Sequence, residues 1–174
     1  VFPASNWISI LDQPASILTG ASMYNVTTND WKESLEWIKL NTPSDSIILS
    51  WWDYGYWITT VSERTTLVDN ATIDSKQIQK VANILLSSPD DAWNMLQETG
   101  SDYVVIFVAG EKFQSTDDTL LYLLEGGGDE SKKMWFMKIA GVPVEKYLHS
   151  DGISGTDYFW NETLLGKMIP FSLV

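Results

Sequence analysis

The side chains best suited to chemistry stand together at residues 51–55, where the sequence is Trp-Trp-Asp-Tyr-Gly. Indole N–H groups and carboxylates need hydrogen-bond partners when partly buried, so this stretch would be costly to fold as a plain turn. Asp53, beside the indole donors of Trp51 and Trp52, can accept a hydrogen bond from a small hydroxyl while the rings exclude water. The residues therefore predict a pocket for a Ser or Thr hydroxyl, and an aromatic corner that binds nothing is the alternative.

A second candidate group is Asp129, Lys132 and Ile139, which are spaced by three and seven residues. Their segment has a residue pattern that predicts a helix. This spacing places all three within one face of the helix. On spacing alone the group is an ordinary solvated Asp–Lys pair beside a core isoleucine, worth only about a few tenths of a kcal/mol. Glu130 and Lys133 repeat the Asp–Lys spacing one residue later, so two registers stay open.

Other kinds of catalytic site find little support. The chain has no Cys, which excludes disulfides, thiolate catalysis and cysteine zinc sites. Its single His, His149, belongs to no evident nucleophile motif and is assigned no role. Asp53 and Asp69 are carboxylates that a hydrolase could pair, yet nothing in the sequence indicates the separation such a reaction needs. No catalytic or metal-binding residue is predicted in this chain.

The charge balance excludes several classes of partner. Net charge is −12, from 23 acidic and 11 basic residues, so a nucleic-acid backbone would be repelled and anionic lipid headgroups would not be held. The chain is also rich in aromatic residues, with nine Trp, seven Tyr and six Phe. Exposed aromatic rings are typical of surfaces that bind peptides or sugars, so a stand-alone carbohydrate-binding module is the alternative function.

Length and composition predict a single domain over residues 1–174, with 44% hydrophobic residues to form its core. No apolar stretch approaches the roughly 18 residues that a membrane-spanning helix needs, which predicts a soluble domain. The chain opens Val-Phe-Pro without Met or a signal-peptide pattern, so we expect it to be part of a longer protein.

Hydrophobic periodicity predicts an α/β, mixed α+β fold with a small, mainly parallel sheet flanked by helices, and a helical C-terminal third. The predicted strands are residues 47–49, 66–68 and 103–108. The predicted helices cover residues 30–40, 74–85, 88–100, 129–139 and 156–169, with Asn29, Asp74 and Ser88 as N-caps and a flexible glycine break at 126–128. The aromatic motif then follows a strand directly, at the carboxyl end where open α/β sheets hold ligands.

The pentapeptide at 51–55 resembles the WWDYG signature of the STT3, AglB and PglB catalytic subunits of oligosaccharyltransferases, and the match is complete. The likeness continues through residues 41–43, 64–70, 88–93 and 102–107. Asp129, Lys132 and Ile139 resemble the second signature of eukaryotic and archaeal members, the DK motif. The register starting at Asp129 is preferred because Trp135 and Lys138 then fall where the family keeps an aromatic and a basic residue. In its short length, the chain is most similar to a short archaeal AglB.

This resemblance implies the C-terminal globular domain of a membrane enzyme that transfers a lipid-linked, dolichyl-type oligosaccharide to Asn in Asn-x-Ser/Thr sequons. Trp51, Trp52 and Asp53 would then bind the acceptor hydroxyl, with Lys132 and Ile139 beside it, and Tyr54, Gly55 and Asp129 would support the motifs. The transmembrane region would carry catalysis, Mn²⁺ or Mg²⁺ and the lipid-linked substrate, and would place this domain on the extracellular side of the cell membrane. The isolated domain is therefore expected to be non-catalytic. The chain itself contains three sequons, at Asn25, Asn70 and Asn161.

Overall fold

The structure, a computed structural model, describes residues 29–114, 120–124 and 127–169. The sequon at Asn25, the glycine at Gly126 and the predicted helix stop at Pro170 lie outside these residues. The first described element is helix α1, Asp30–Asn41, whose predicted bounds are confirmed to within one residue. Asn29 does not cap this helix with its side chain, and instead its carbonyl oxygen accepts the Glu33 N–H at 2.9 Å.

Three short parallel strands form the central sheet, in the order β2-β1-β3. They are β1, Ile47–Leu49, β2, Thr65–Thr66, and β3, Tyr103–Val104. In the register, Ile47 pairs with Thr65 and Ile48 pairs with Tyr103. The predicted parallel sheet flanked by helices is confirmed, although β2 lies one residue earlier than predicted and β3 is shorter.

Strand β3 ends early because the backbone that follows it donates a hydrogen bond to a buried carboxylate and not to a neighbouring strand. The Val105 N–H still donates to the Leu49 carbonyl at 2.8 Å. Two residues later the Phe107 N–H donates to Asp129 Oδ2 at 2.9 Å. The prediction of a strand through residue 108 was wrong in length, because an apolar run indicates burial without identifying the hydrogen-bond partner.

Helices α2, Ser75–Leu86, and α3, Pro89–Thr99, follow the predicted bounds closely. The Asp74 side chain accepts the N–H groups of Lys76 and Gln77, and the Ser88 hydroxyl accepts the Asp91 N–H. Both are ordinary N-caps that satisfy free donors of the first turn. The sequence therefore places this helical pair by local signals alone.

An antiparallel hairpin, β4, Gly110–Gln114, and β5, Leu120–Leu124, was not predicted. Its second strand is a continuous apolar run, which does not distinguish a strand from a buried helical turn by periodicity. After the hairpin, Gly128 is buried, and a side chain there would lie 2.8 Å from the Phe107 carbonyl oxygen and the Ala109 nitrogen. The predicted flexible break is wrong at Gly128, which closes a tight backbone contact.

The remaining elements are helical. They are a 3₁₀ turn, Asp129–Lys132, helix α4, Lys133–Ala140, a 3₁₀ turn, Val144–Lys146, helix α5, Asp157–Glu162, and helix α6, Leu164–Met168. The helix predicted over 156–169 is divided at Thr163, whose buried hydroxyl donates to the Phe159 carbonyl and accepts the Gly166 N–H. The hydroxyl ends one helix and caps the next.

The core lies between the sheet and these helices. Helix α2 packs against α3, α4 and α6, and fully buried side chains include Ile48, Val81, Ile84, Phe136 and Leu165. This packing holds the start of α4 beside the sheet and so determines where the preceding 3₁₀ turn lies. Among the described residues, no helix combines the length and the apolar character that crossing a membrane requires.

Candidate functional site

The aromatic motif lies where the sequence predicted, at the carboxyl end of the central strand β1. Trp51 is extended, a 3₁₀ turn covers Trp52–Tyr54, and the chain continues as a helical turn, Gly55–Trp57, and a π-turn, Ile58–Ser62. The motif is therefore the start of a helical segment that leaves the sheet. Backbone hydrogen bonds within that segment fix the main chain of the motif. The first of them runs from the Tyr54 N–H to the Trp51 carbonyl at 3.1 Å.

Gly55 permits a close approach of two backbone segments. Its φ of −55° is ordinary helical geometry that any residue adopts. A Cβ on Gly55 would lie 2.5 Å from both the Asp69 Cα and the Val68 carbonyl oxygen. Glycine is required here because the chain after β2 packs directly on the motif.

The two tryptophans occupy different environments. Trp51 is only 3% exposed and packs edge-on against Phe136 of α4, with ring centroids 4.4 Å apart. Trp52 is half-buried, with its ring centroid 6.2 Å from that of Trp51. Trp51 thus joins the site to the core, and Trp52 forms part of its accessible wall.

Lys132 joins the two sequence motifs. Its ammonium group donates to Asp53 Oδ2 and to the Tyr54 hydroxyl, both at 2.7 Å, and lies 3.4 Å from Asp129 Oδ1. An ammonium group has three donors, so these three oxygens can satisfy it. The side chains of Asp53 and Lys132 are 19% and 20% exposed, which leaves the ion pair shielded and still reachable. Within the described residues, Asp53 Oδ1 accepts no hydrogen bond.

Asp129 is the buried anchor of this cluster. The Tyr54 hydroxyl donates to its Oδ1 at 2.8 Å, the Phe107 N–H donates to its Oδ2, and its own N–H donates to the Phe107 carbonyl at 2.7 Å. Burial raises the pKa of Asp129, and the Lys132 charge opposes that rise. Burial, followed by the Asp129 charge, raises the pKa of Tyr54, so Tyr54 stays a hydrogen-bond donor. Three separate chain segments are joined at one carboxylate.

The competing register, Glu130 with Lys133, lies in the core. Glu130 is 4% exposed and Lys133 is 7% exposed. The Lys133 ammonium group donates to the Glu130 carbonyl oxygen and lies 5.6 Å from the ring centroids of Phe159 and Trp160. It is therefore the Asp129–Lys132 pair that contacts the pentapeptide.

Ile139 lies seven residues after Lys132, half-buried on α4 and packed against the core. Lys132 ends the 3₁₀ turn and Ile139 lies on α4, so the prediction that both stand on one face of a single helix was wrong. The predicted contact of Ile139 with a ligand stays a prediction.

The buried carboxylate of Glu130 leads to a pH-dependent stability prediction. Neither of its oxygens has a hydrogen-bond partner of ordinary geometry among the described residues, and burial raises the pKa of Glu130 above 4.5 against the opposing effects of nearby backbone N–H groups and the Lys133 charge. A raised pKa means that Glu130 stabilises the fold below about pH 4.5, and that this contribution is lost as pH rises through the folded-state pKa. Glu130→Gln removes the charge and keeps the shape, so we expect its advantage over wild type to grow with pH.

The expected gain at pH 8 is on the order of 1 kcal/mol, or roughly 2–4 °C in Tm. Thermal unfolding of both proteins between pH 4 and pH 8 measures it. Glu145→Gln, at an exposed glutamate, is the matched control. Equal Tm values at pH 8, or an advantage confined to pH 4, would contradict the expectation.

Other possible sites are weaker. Asp69 Oδ1 accepts the Ala71 N–H at 2.9 Å in a turn, so Asp53 and Asp69 have separate structural roles and no hydrolase pair is indicated. His149 is exposed and keeps no assigned role. In the described ranges, no group of three acidic or His side chains is placed to hold a metal.

Two surface features bear on the carbohydrate-module alternative. Among the described residues, the most exposed tryptophans are Trp37, Trp93 and Trp135, which lie on three different helices, α1, α3 and α4. A cavity of about 630 Å³ lies between α1 and the end of β3, lined by Trp37, Ile38 and Ile106 among others. None of its lining residues belongs to the Asp53–Lys132 cluster.

Two residues near the site had no predicted role. Arg64 is 6% exposed, and its guanidinium donates to the Thr42 hydroxyl at 2.8 Å and to the carbonyl oxygens of Lys39, Thr42 and Ser62. Asn70 contacts the motif itself, through the Asp53 carbonyl at 2.8 Å. Both stand in the segment 64–70 that carried the family resemblance, and Asn70 also begins a sequon.

Comparisons with known proteins support the same family. Residues 44–118 match the model of the STT3/PglB/AglB core domain. The chain is 35% identical over 157 residues, 88% of its length, to the dolichyl-diphosphooligosaccharide–protein glycosyltransferase subunit STT3B of rice, Oryza sativa subsp. japonica. It is 33% identical over 125 residues, 71% of its length, to subunit STT3 of Saccharomyces cerevisiae. It spans 20% and 16% of those proteins respectively, so about a fifth or less of their length.

The fold is also similar to that of a solved structure. The crystal structure of the C-terminal globular domain of an oligosaccharyltransferase from Archaeoglobus fulgidus matches with a TM-score of 0.55 and 28% identity. The match covers 82% of each chain, so it includes most of both folds. On these findings, the chain is a domain of the STT3, AglB and PglB type of oligosaccharyltransferases.

Proposed function

We propose that this chain is the acceptor-recognition domain of an oligosaccharyltransferase, which binds the Ser or Thr of the Asn-x-Ser/Thr sequon. The observation that carries the proposal is that, in the described part of the chain, only one carboxylate oxygen of Asp53 accepts a hydrogen bond. One of its oxygens, Oδ2, is fixed by Lys132 at 2.7 Å, and Oδ1 accepts no hydrogen bond in the described part of the chain. A fixed carboxylate with one open acceptor is suited to a hydroxyl donor.

The surrounding residues favour a hydroxyl over a cation or a sugar ring. Lys132 already balances the charge of Asp53, so a second cation would be repelled by the ammonium group. The ion pair is largely shielded from bulk water, with the Lys132 and Asp53 side chains 20% and 19% exposed, which strengthens a hydrogen bond made there. On the family resemblance alone, we assign Ile139 of α4 to the methyl group of Thr. Trp51 supports the pocket from the core side and, at 3% exposure, offers a ligand little more than an edge.

The division of labour follows from what the chain contains. We propose that the transfer of a dolichyl-linked oligosaccharide, with its divalent metal, Mn²⁺ or Mg²⁺, is carried out by a membrane region outside this chain. The names of the relatives, as dolichyl-diphosphooligosaccharide–protein glycosyltransferase subunits, support such a substrate. The domain would then lie on the extracellular side of the membrane, and an archaeal origin agrees with the archaeal structural match. The isolated domain should not transfer glycan.

A comparison of acceptor peptides in the full-length enzyme tests the proposal. A peptide with Asn-x-Ala leaves Asp53 Oδ1 without its donor, so we expect kcat/KM at least about a hundredfold below that of the matched Asn-x-Thr peptide. Adding Lys132→Met should reduce this ratio, because Asp53 then loses the partner that fixes it. Lys167→Met, at an exposed lysine, is the matched control.

Two outcomes would contradict the proposal. One is a Thr-over-Ala ratio that Lys132→Met leaves unchanged, which would place hydroxyl recognition elsewhere in the enzyme. The other is saturable binding of free oligosaccharide by the isolated domain, measured by calorimetry, with no effect of the peptide's third residue. That result would favour the carbohydrate-binding module.

A further inference from the structure

We propose that Asn70 is a positioning residue for Asp53, and that the amide of Asn70, not a glycan attached to its sequon, is what the site uses. The inference rests on the proposed function of Asp53. Its basis is a pair of hydrogen bonds made by a single side chain to the motif. Nothing in the sequence alone separates this role from that of a glycan acceptor, since Asn70-Ala71-Thr72 is a complete sequon.

The Asn70 amide bridges both ends of the turn that carries Asp53. Its Nδ2 donates to the Asp53 carbonyl oxygen at 2.8 Å, and its Oδ1 accepts the Tyr56 N–H at 3.1 Å. The Gly55 N–H donates to the Trp52 carbonyl, and Asn70 supplies the acceptor for the next N–H along the chain, that of Tyr56. The amide thus acts as a clamp across residues 53–56 and holds the backbone from which the Asp53 carboxylate projects.

The clamp is itself firmly held. Asp69 forms a tight turn, in which its carboxylate accepts the Ala71 N–H at 2.9 Å and its carbonyl accepts the Thr72 N–H at 3.1 Å. The Asp69 backbone packs against Gly55, where a Cβ would lie only 2.5 Å from the Asp69 Cα. Asn70 is half-buried between these contacts. A side chain fixed at its base and bonded at both ends of its amide can transmit that rigidity to Asp53.

The same contacts weigh against glycan attachment as the role of this sequon. Nδ2 is the atom that a glycan would occupy, and it is used by the Asp53 carbonyl. The sequon at Asn161 differs, because the Asn161 side chain is exposed on α5. Of the two sequons among the described residues, one has its amide engaged in the site and the other has an exposed asparagine.

The test uses four variants of the full-length enzyme. Each is assayed with two acceptor peptides, which carry Thr or Ala at the third position of the sequon. Asn70→Asp keeps the shape and the acceptor for Tyr56 but places an oxygen against the Asp53 carbonyl. Asn70→Ala removes both bonds. Thr72→Asn destroys the sequon, keeps the Asn70 amide, and suits the positive φ of +51° at that position. Asp53→Ala serves as the reference for the proposed function itself.

Both Asn70 variants lose the hydrogen bond from Nδ2 to the Asp53 carbonyl, so we expect each to raise KM for the Asn-x-Thr peptide by about two- to tenfold or more and to lower the Thr-over-Ala ratio similarly. Thr72→Asn should leave both values unchanged.

A purely structural role would lower the amount of active enzyme and leave the Thr-over-Ala ratio intact, so this ratio distinguishes a structural role of Asn70 from a positioning role. If Asp53→Ala changes the ratio and the Asn70 variants do not, the inference about Asn70 fails alone. If Thr72→Asn matches them, the glycan is responsible and the inference is overturned. If Asp53→Ala has no effect, the proposed function fails first.

Discussion

Asp53→Ala in the full-length enzyme is expected to lower kcat/KM for an Asn-x-Thr peptide by about ten- to a hundredfold. A hydrogen bond to a charged group contributes about 1.5–3 kcal/mol, and about 1.4 kcal/mol corresponds to a factor of ten. Part of the loss should fall on kcat, because a held hydroxyl also orients the neighbouring Asn for attack. Transfer assays over a range of peptide concentrations separate the two contributions.

The fold should tolerate this substitution. Lys132 loses one of three partners and keeps the Tyr54 hydroxyl at 2.7 Å and Asp129 at 3.4 Å. With its side chain 20% exposed, the ammonium group can also recover water. We therefore expect the Tm of the domain to stay within about 2–4 °C of wild type, a change of roughly 1 kcal/mol.

Asp45→Ala provides a matched control for Asp53→Ala, since Asp45 is an exposed aspartate in the turn before β1. It should leave both activity and Tm unchanged. An Asp53→Ala enzyme with wild-type kcat/KM and an unchanged Tm would sink the hydroxyl-pocket proposal. The motif would then be the aromatic corner that the sequence left open.

Local signals explain which parts of the fold could be predicted. Asp74 and Ser88 cap helices α2 and α3 as expected, because a cap depends on residues at most three positions away. The site was located for a similar reason, since the aromatic motif directly follows the β-branched run of β1. Contacts between distant segments are a different matter. Lys132 and Asp53 are 79 residues apart, and only the family resemblance placed them in one pocket.

The error at the third strand has a physical cause, which is that apolar character in a sequence does not specify a hydrogen-bond partner. Residues 105–108 were assigned to a strand, yet the Phe107 N–H is bonded to a carboxylate 22 positions away. Glu130 and Lys133 repeated the Asp–Lys spacing in the sequence, and the structure buries both. Asn70 stands in a sequon, and its amide also bonds to the motif at the Asp53 carbonyl. Each depends on tertiary packing that becomes visible only in the folded chain.

Gly55→Ala is expected to be among the most destabilising substitutions in the domain, although local structure alone favours it. Gly55 has helical dihedral angles, and in a helix Ala is more stable than Gly by about 1 kcal/mol. The added Cβ would, however, lie 2.5 Å from the Asp69 Cα and from the Val68 carbonyl oxygen. Both are backbone atoms, so no side-chain rotation relieves the overlap, and the chain after β2 has to move.

We expect Gly55→Ala to cost about 3 kcal/mol or more, at the upper end of overpacking, and to lower Tm by roughly 6–12 °C. Urea and thermal unfolding of the domain measure this loss. Gly141→Ala is the control, since Gly141 has a φ of +74° but its Cβ would meet nothing closer than 3.9 Å. That variant should lose only about 1–2 kcal/mol of stability, the cost of placing a residue with a Cβ in the left-handed conformation.

Because the displaced segment carries Asn70, the full-length Gly55→Ala enzyme should also lose Thr-over-Ala discrimination at temperatures where it remains folded. A gain in stability of about 1 kcal/mol at Gly55, as helix propensity alone predicts, would show that the backbone contact between Gly55 and Asp69 does not constrain the site.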